Sequence, residues 1–301
     1  MADFAGCAFD AVIVHFGNGC DRTTRLVRHL VATLPGLRRI IVWDNSPECS
    51  TLVSAALPPQ VEVRTEGGNL GWGQAVNRAL ALVESPAALL LNPDVTAAPG
   101  AVQACVRRLM EDAAVSVSVP TIRQRRGNVV PLYNIWAILL AEVVGWPATG
   151  MLFHPAGVAV TMEVAVVSVR WHRAIGGFDP RFFMYNEDYD WCRRAVAAGG
   201  RCVAVATEPC DHEGGASWSA SDQRMYWVFD SEARYLAKWF GRTALLVFAV
   251  RIVKGALLVA GISLGAHLTG GRRLQYLRMR EGIRLSASMR WLGRVIRHRA
   301  A

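Results

Sequence analysis

No two of the seven cysteines stand in a CxxC pair; Cys7, Cys20, Cys49, Cys105, Cys192, Cys202 and Cys210 are scattered over 301 residues. That pattern excludes a cysteine-built zinc framework. The odd count argues against a disulfide scaffold and for reduced thiols in a cytoplasmic setting. The first residues lack a basic stretch followed by a long apolar core, so no secretory signal is read there, and Ala11-Val12-Ile13-Val14 reads as a first strand. GxGxxG spacing and a Walker lysine are both missing, which removes a dinucleotide fingerprint and a P-loop. No Gly-rich loop bearing Lys or Arg near the N-terminus offers a triphosphate cradle, and there is no internal repeat. Acids are scarce at the other end. From Gly271 to Ala301 nine Arg face one Glu, which is +8 of the net +9 and leaves about +1 for residues 1–270. A nearly neutral body with a cationic tail points to an anionic lipid surface and away from a nucleic-acid partner.

What is present is globular. The chain is 52% hydrophobic and 19% charged, long enough to bury a sizeable core. Short apolar runs at Ala11–Phe16, Arg39–Trp43, Val61–Arg64 and Ala87–Leu91 read as buried strands, with helices over Thr24–Thr33 and Gly73–Glu84 between them. This βαβα order predicts an α/β fold with a doubly wound, mostly parallel sheet whose ligands sit at the carboxyl ends of the strands. Those ends read His15-Phe16-Gly17-Asn18, Asp44-Asn45-Ser46, Glu66-Gly67-Gly68-Asn69 and Asn92-Pro93-Asp94, all polar or acidic. Farther on, Ile135–Val144 is an apolar helix candidate carrying Glu142, and Val158–Met162 and Val164–Val169 are strand-like. Glu187–Ala198 is a short helix stopped by Gly199-Gly200, Arg201–Ala206 a strand, and Ser221–Trp239 a closing helix.

Composition shifts at Gly241, so two domains are expected, 1–240 and 241–301. From Ala244 to Leu268 only Arg251, Lys254 and His267 interrupt the apolar character, and the uncharged core is 14 residues. That is short of the roughly 20 a spanning helix needs. The reading is an in-plane or shallowly inserted helix, with a tilted span or a helix buried against the body as alternatives. Leu285, Met289, Leu292 and Ile296 follow helical spacing among Arg284, Arg290, Arg294 and Arg297, the pattern of a basic interfacial helix; the alternative is a solvated helix laying its stripe on the body.

The densest chemistry lies in Phe183-Met184-Tyr185-Asn186-Glu187-Asp188-Tyr189-Asp190, with three carboxylates at a helix start. Asp190 has Arg193 and Arg194 at i+3 and i+4 and reads as structural. Asp188 has no such partner and is the best general-base candidate; neighbouring acids raise its pKa and a helix start lowers it. Asp94 can hold a divalent cation beside a diphosphate, although Asn-Pro-Asp is also good turn chemistry. The Glu66–Gly73 loop opens a helix N-terminus that suits phosphate, or is simply a capped loop. His212, between Asp211 and Glu213, is either structural or part of the same rim.

In this order, the motifs resemble the family 2 glycosyltransferases of GT-A fold, especially their bacterial rhamnosyltransferase-like branch. They are Val12-Ile13-Val14-His15-Phe16, Val42-Trp43-Asp44-Asn45-Ser46, Asn69-Leu70-Gly71-Trp72-Gly73 with Asn77-Arg78, and Leu90-Leu91-Asn92-Pro93-Asp94 with Pro99-Gly100. Gly176-Gly177-Phe178-Asp179, Arg181–Tyr185, Glu187-Asp188-Tyr189-Asp190 and His212-Glu213-Gly214-Gly215 complete the set, from about Ala11 to Gly241. The resemblance implies that Asp44 bonds the nucleotide base with His15 and Phe16 lining its pocket. It places Asn69, Gly71, Trp72 and Asn77 on the donor-side loop and helix. Asn92 and Asp94 take the first and last positions of the DxD metal motif, and His212 completes the shell of a divalent Mg or Mn. Asp188 becomes the base, with Glu187 as supporting acid. One stretch departs: Met162-Glu163-Val164-Ala165 stands where relatives carry a small Gly-Ala pair, and a bulky or charged group there would reshape the acceptor side, so the family's acceptor assignments are not carried over.

The implied activity is inverting transfer of a sugar, L-rhamnose from dTDP-L-rhamnose as the best guess, from a nucleotide-diphosphate donor. The acceptor would be a polyprenyl-linked saccharide or a growing glycan. The expected location is the cytoplasmic face of the inner membrane, held there through residues 241–301. The rival expectation is an inactive, membrane-bound nucleotide-sugar-binding protein.

Overall fold

The structure is a computed structural model that describes residues 8–17, 20–46, 52, 57–124, 127–129, 132–134, 158–213, 222–269 and 272–297. It divides into two compact units, one of Met1–Asn134, Phe153–Phe183 and Glu187–Ser217, the other of Ile135–Leu152, Met184–Asn186 and Trp218–Ala301. The helix candidate Ile135–Val144 lies outside the described residues.

The first unit runs β1 (Phe9–His15), α1 (Cys20–Thr33), β2 (Leu37–Asp44), β3 (Val61–Thr65), α2 (Trp72–Ala81), β4 (Ala87–Leu91), β5 (Val95–Thr96), α3 (Pro99–Glu111) and β6 (Val115–Val119). Then follow β7 (Ile122–Gln124), β8 (Gly127–Val129), β9 (Leu132–Asn134), β10 (Val158–Val160), β11 (Val164–Ser168), α4 (Val169–Ala174), α5 (Glu187–Ala197), β12 (Arg201–Ala204) and β13 (Cys210–His212). Seven strands form the main sheet in the order β12-β6-β11-β4-β1-β2-β3. Neighbours are parallel except β11, which runs antiparallel to both β4 and β6. The expected mostly parallel α/β sheet is therefore what the chain forms. Strands β1 and β4 are buried along their whole length, as continuous apolar runs in the middle of a covered parallel sheet should be.

Both of the later strand-like runs form strands, and their placement is new. The Val158–Met162 run does not join the main sheet; β10 pairs with β9 in a sheet of its own. The Val164–Val169 run does join it, but reversed, with Val164 opposite Leu91 and Ser168 opposite Ala87. This reversal brings the start of β11, and Glu163 just before it, to the edge where β1, β2 and β4 end. Helix α3 and strand β6 went unread in the sequence, although Ala101, Val102, Cys105, Val106 and Leu109 bury one face at helical spacing and Pro99 sits in the first turn. A four-stranded sheet, β5-β13-β7-β8, sets His212 opposite Val95.

The second unit is built on α6 (Asp222–Phe240), α7 (Arg242–Thr269) and α8 (Arg272–Arg297). Ala233, Leu236, Ala244 and Phe248 form its core, with Trp291 and Leu292 packed against them. Gly255 of α7 faces α8, where a Cβ would make an ordinary contact with Leu285 at 3.6 Å. Two residues of the α8 stripe, Leu285 and Leu292, thus pack inward, whereas Met289 is 51% exposed. Two of its arginines cover aromatic rings of α6, Arg284 over Phe229 at 5.6 Å and Arg290 over Tyr226 at 5.0 Å. Burial lowers the pKa of Arg284. The larger apolar exposure belongs to α7, at Leu246, Val253 and Leu257, whose spacing puts them on one helix face. Among the described residues no helix is long and apolar enough to cross a membrane.

Candidate active site

Where β1 and β2 end, His15 and Asp44 stand side by side in register. The ring of His15 is fully buried. Its Nε2 donates to the carbonyl of Gly17 at 2.8 Å, which leaves Nδ1 to accept from the Thr23 hydroxyl at 2.8 Å. Burial lowers its pKa, outweighing the opposing pull of Asp44 and the Gly17 carbonyl. This is a neutral imidazole that fixes the turn from β1 into α1. Asp44 is buried as well and accepts from the Ser46 amide at 3.1 Å, while the Ser46 hydroxyl accepts from the Gly17 amide at 2.9 Å. Phe16 is half-buried beside them.

Asn45 carries the order onward. Its amide N–H donates to the carbonyl of His15 at 2.8 Å. Its side-chain nitrogen donates to Asn69 Oδ1 at 2.9 Å and its side-chain oxygen accepts from the Leu70 amide at 2.9 Å. Asn69 in turn accepts from the Gly71 amide at 3.0 Å. At Gly71 the backbone takes φ 80°, and a Cβ would overlap the carbonyl of Phe183, so only glycine fits. The indole of Trp72 donates to Asn92 Oδ1 at 3.1 Å, and the Asn92 amide donates to the carbonyl of Glu163 at 3.0 Å. A continuous string of bonds thus joins the ends of β1, β2 and β4 to the start of β11. Asn77 is elsewhere: its amide clamps Phe178, donating to that residue's carbonyl and accepting from its amide, both at 2.8 Å.

The acids face this string. Gly73 lies under α5, where a Cβ would stand 3.1 Å from Phe178 and 3.4 Å from Glu187, so α2 abuts the acidic helix. Tyr185 (φ 70°) and Asn186 (φ 61°), both in the left-handed region, lead into α5; asparagine tolerates it and tyrosine pays for it. Asp190 is fully buried and accepts from Arg194 at 2.8 Å, the i,i+4 partner its sequence offered. Glu187 is 7% exposed with Oε2 unpartnered, and burial followed by the charge of Asp188 drives its pKa well above the ordinary carboxylate value. For Asp188, burial and then the charge of Glu163 raise the pKa to about 7, against the backbone amides of Tyr189, its own residue and Met162. Glu163, half-buried, has its Oε2 buried and unpartnered.

Asp94 and His212 meet beyond β4, with His212 Nε2 3.3 Å from Asp94 Oδ1. Burial alone would raise the pKa of Asp94, but the bond and charge of His212, with Arg22 farther off, lower it. His212 is raised: burial opposes protonation and the Asp94 contact, aided by Glu163 and Glu213, prevails. Its Nδ1 is buried without a partner. A pocket of about 210 Å³ opens on Asp94, lined by Arg22, Arg25, His29, Pro93 and Thr96 among others. No group of three or more His, Cys, Asp and Glu side chains suited to a metal occurs among the described residues. One carboxylate beside one imidazole is nonetheless a donor pair that fits a divalent cation whose remaining ligands are diphosphate oxygens and water.

The model of glycosyl transferase family 2 matches residues 11–160, the stretch that supplies every strand end just described up to β10. The chain belongs to glycosyltransferase family 2. It is 29% identical over 206 residues to the N-acetylglucosaminyl-diphospho-decaprenol L-rhamnosyltransferase of Mycobacterium tuberculosis, a match covering 58% of this chain and 66% of that protein. Among solved structures, a mannosyltransferase of Pyrobaculum calidifontis in complex with GDP-Man and Mn2+ superposes with TM-score 0.60 at 13% identity, over 94% of this chain and 86% of that one. The glucosyl-3-phosphoglycerate synthase of M. tuberculosis, in complex with Mn2+, UDP and phosphoglyceric acid, gives TM-score 0.53 at 15% identity over 77% and 78%. At such identities these structures establish the GT-A-like fold. Within this family 2 chain, the sequence offers Asn45 as the middle of a strand-end triplet, without its bonds to Asn69 and Leu70. Glu163 stands out there as a charged departure on the acceptor side, and nothing local shows that β11 runs backwards and carries it to the strand-end edge.

Proposed function

We propose that this chain is an inverting glycosyltransferase that moves a sugar from a nucleotide-diphosphate donor to a polyprenyl-linked or glycan acceptor. The observation that carries the reading is the juxtaposition of a fully bonded strand-end string, from His15 to Asn92, with an acid of pKa about 7, Asp188. Asp44 and the Asn69–Trp72 loop hold the donor, with His15 and Asn92 fixing the backbone around it, while Asn77 holds Phe178. Asp188 takes the proton of an acceptor hydroxyl as its oxygen attacks the anomeric carbon. The bond to the diphosphate oxygen breaks, the nucleoside diphosphate leaves, and the configuration inverts. A divalent cation, Mg2+ or Mn2+, would be held by Asp94 and His212 and would neutralise charge on the leaving diphosphate. Glu187 adds a second acid that supports the base.

The mycobacterial relative's name makes dTDP-L-rhamnose and N-acetylglucosaminyl-diphospho-polyprenol the first donor and acceptor to try. Residues 1–240 would carry the transfer and residues 241–301 the approach to an anionic membrane surface on its cytoplasmic face, through the exposed face of α7 and the arginine-rich tail. The test incubates purified protein, with Mg2+ or Mn2+, with a panel of nucleotide sugars and that acceptor, beside Asp188→Asn. Transfer by the wild type and none by the variant supports the reading. Donor binding without transfer by either favours a non-catalytic nucleotide-sugar-binding protein. Vesicles containing anionic lipid should retain the full chain at low salt and release it at high salt; salt-independent partitioning contradicts the electrostatic part.

A further inference from the structure

We propose that Glu163 is an acceptor-binding residue, its carboxylate receiving a hydrogen bond from a second hydroxyl of the acceptor sugar, beside the one that Asp188 deprotonates. The proposal rests on the functional reading above and goes on to name what the acceptor must offer.

Three observations place Glu163. Its backbone is locked, because its carbonyl accepts from the Asn92 amide at 3.0 Å and the next residue, Val164, stands in register with Leu91. The residue before it, Met162, donates its amide to the Asp188 carboxylate, so the loop that carries Glu163 also holds the base. Its charge bears on both Asp188 and His212, and His212 lies 3.3 Å from Asp94.

The side chain is unfinished. Oε2 of Glu163 is buried without a hydrogen-bond partner, and so is Oε2 of Glu187, a residue 93% buried and next to Asp188 in the chain. A buried carboxylate oxygen without a donor is costly and calls for one. Neighbouring residues supply none to these two atoms, whereas a sugar bound for attack by one hydroxyl brings others alongside it. The charge of Glu163 would repel an anionic group on the acceptor near the attacked oxygen. The chemistry selected is therefore a neutral sugar with a free hydroxyl next to the nucleophile, and uronic acids or sugars phosphorylated at that edge are excluded.

The probe is N-acetylglucosaminyl-diphospho-polyprenol with a short polyprenyl chain, its transfer position read by NMR of the product, and its monodeoxy analogues at adjacent positions. Glu163→Ala should raise the acceptor KM by at least about tenfold, the usual loss of a bond to a charged group. Nucleotide-sugar affinity by titration calorimetry should stay within twofold. Glu163→Gln, which keeps an acceptor oxygen, should stay within about threefold of wild-type KM. The deoxy analogue should be penalised in the wild type and not in Glu163→Ala. Wild-type KM in Glu163→Ala, or an equal deoxy penalty in both proteins, overturns the assignment alone. Failure of the wild type to transfer to any acceptor overturns the functional reading and this assignment with it.

Discussion

The β1–β2 end and the acidic end of the same sheet edge treat polar groups in opposite ways. Around β1 and β2, His15, Asn45, Ser46 and Asn69 spend their hydrogen bonds on one another and on the backbone, leaving a rigid rim. Around the start of α5, Glu163 and Glu187 keep buried oxygens with no partner, and Asp188 carries a pKa near neutrality. Under the proposed function, the first arrangement would position a ligand before it arrives. The second would hold electrostatic cost in reserve, for an incoming hydroxyl to relieve and for a carboxylate to be basic enough to take a proton.

The largest effect should come from removing the base. Asp188→Asn should lower kcat by about a thousandfold, within the usual range for a general base, with donor affinity unchanged. Single-turnover transfer against calorimetric donor binding checks both halves. Breaking the rigid end should cost the fold instead. In Gly71→Ala the new Cβ meets the Phe183 carbonyl at a left-handed φ, so denaturant unfolding should show a loss of about 2–4 kcal/mol. Asn45→Ala strands the Leu70 amide and loosens Asn69, for about 1–3 kcal/mol, and should weaken donor binding along with stability. That joint loss is what distinguishes a scaffold residue from Asp188.

The acidic end should show the reverse sign in a stability titration. Asp188 has a folded pKa of about 7 against an ordinary value of 3.8, so its folded state favours the protonated form. Its contribution is fully present below pH 3.8 and is lost as pH rises through about 7. Asp188→Asn should therefore match the wild type near pH 4 and exceed it in stability above pH 7. A variant less stable than the wild type at pH 8 would contradict the account.

Much of this was legible beforehand, for identifiable reasons. Strands β1, β2 and β4 are continuous apolar runs that stop at polar residues, and a parallel sheet gathers such stops on one edge. Asp190 and Arg194 lie one helical turn apart, so their pairing needed only spacing. The reversed direction of β11 could not be read, because strand polarity in a sheet is decided by distant pairings with β4 and β6. For that reason the neighbour that most raises the pKa of Asp188 by its charge, Glu163, looked like a departure instead of part of the site. For the α8 stripe, helical spacing shows an apolar face but not that Leu292 packs against the core of α6 and α7 while Met289 stays exposed.

The most direct test of the account is the pH dependence of kcat/KM for the acceptor in the wild type and in Glu163→Gln. The wild type should lose activity as pH falls through about 7, and removing the Glu163 charge should move that limb to lower pH. A limb at an ordinary carboxylate pH, the same in both proteins, would contradict the claim that the acidic end makes Asp188 a base.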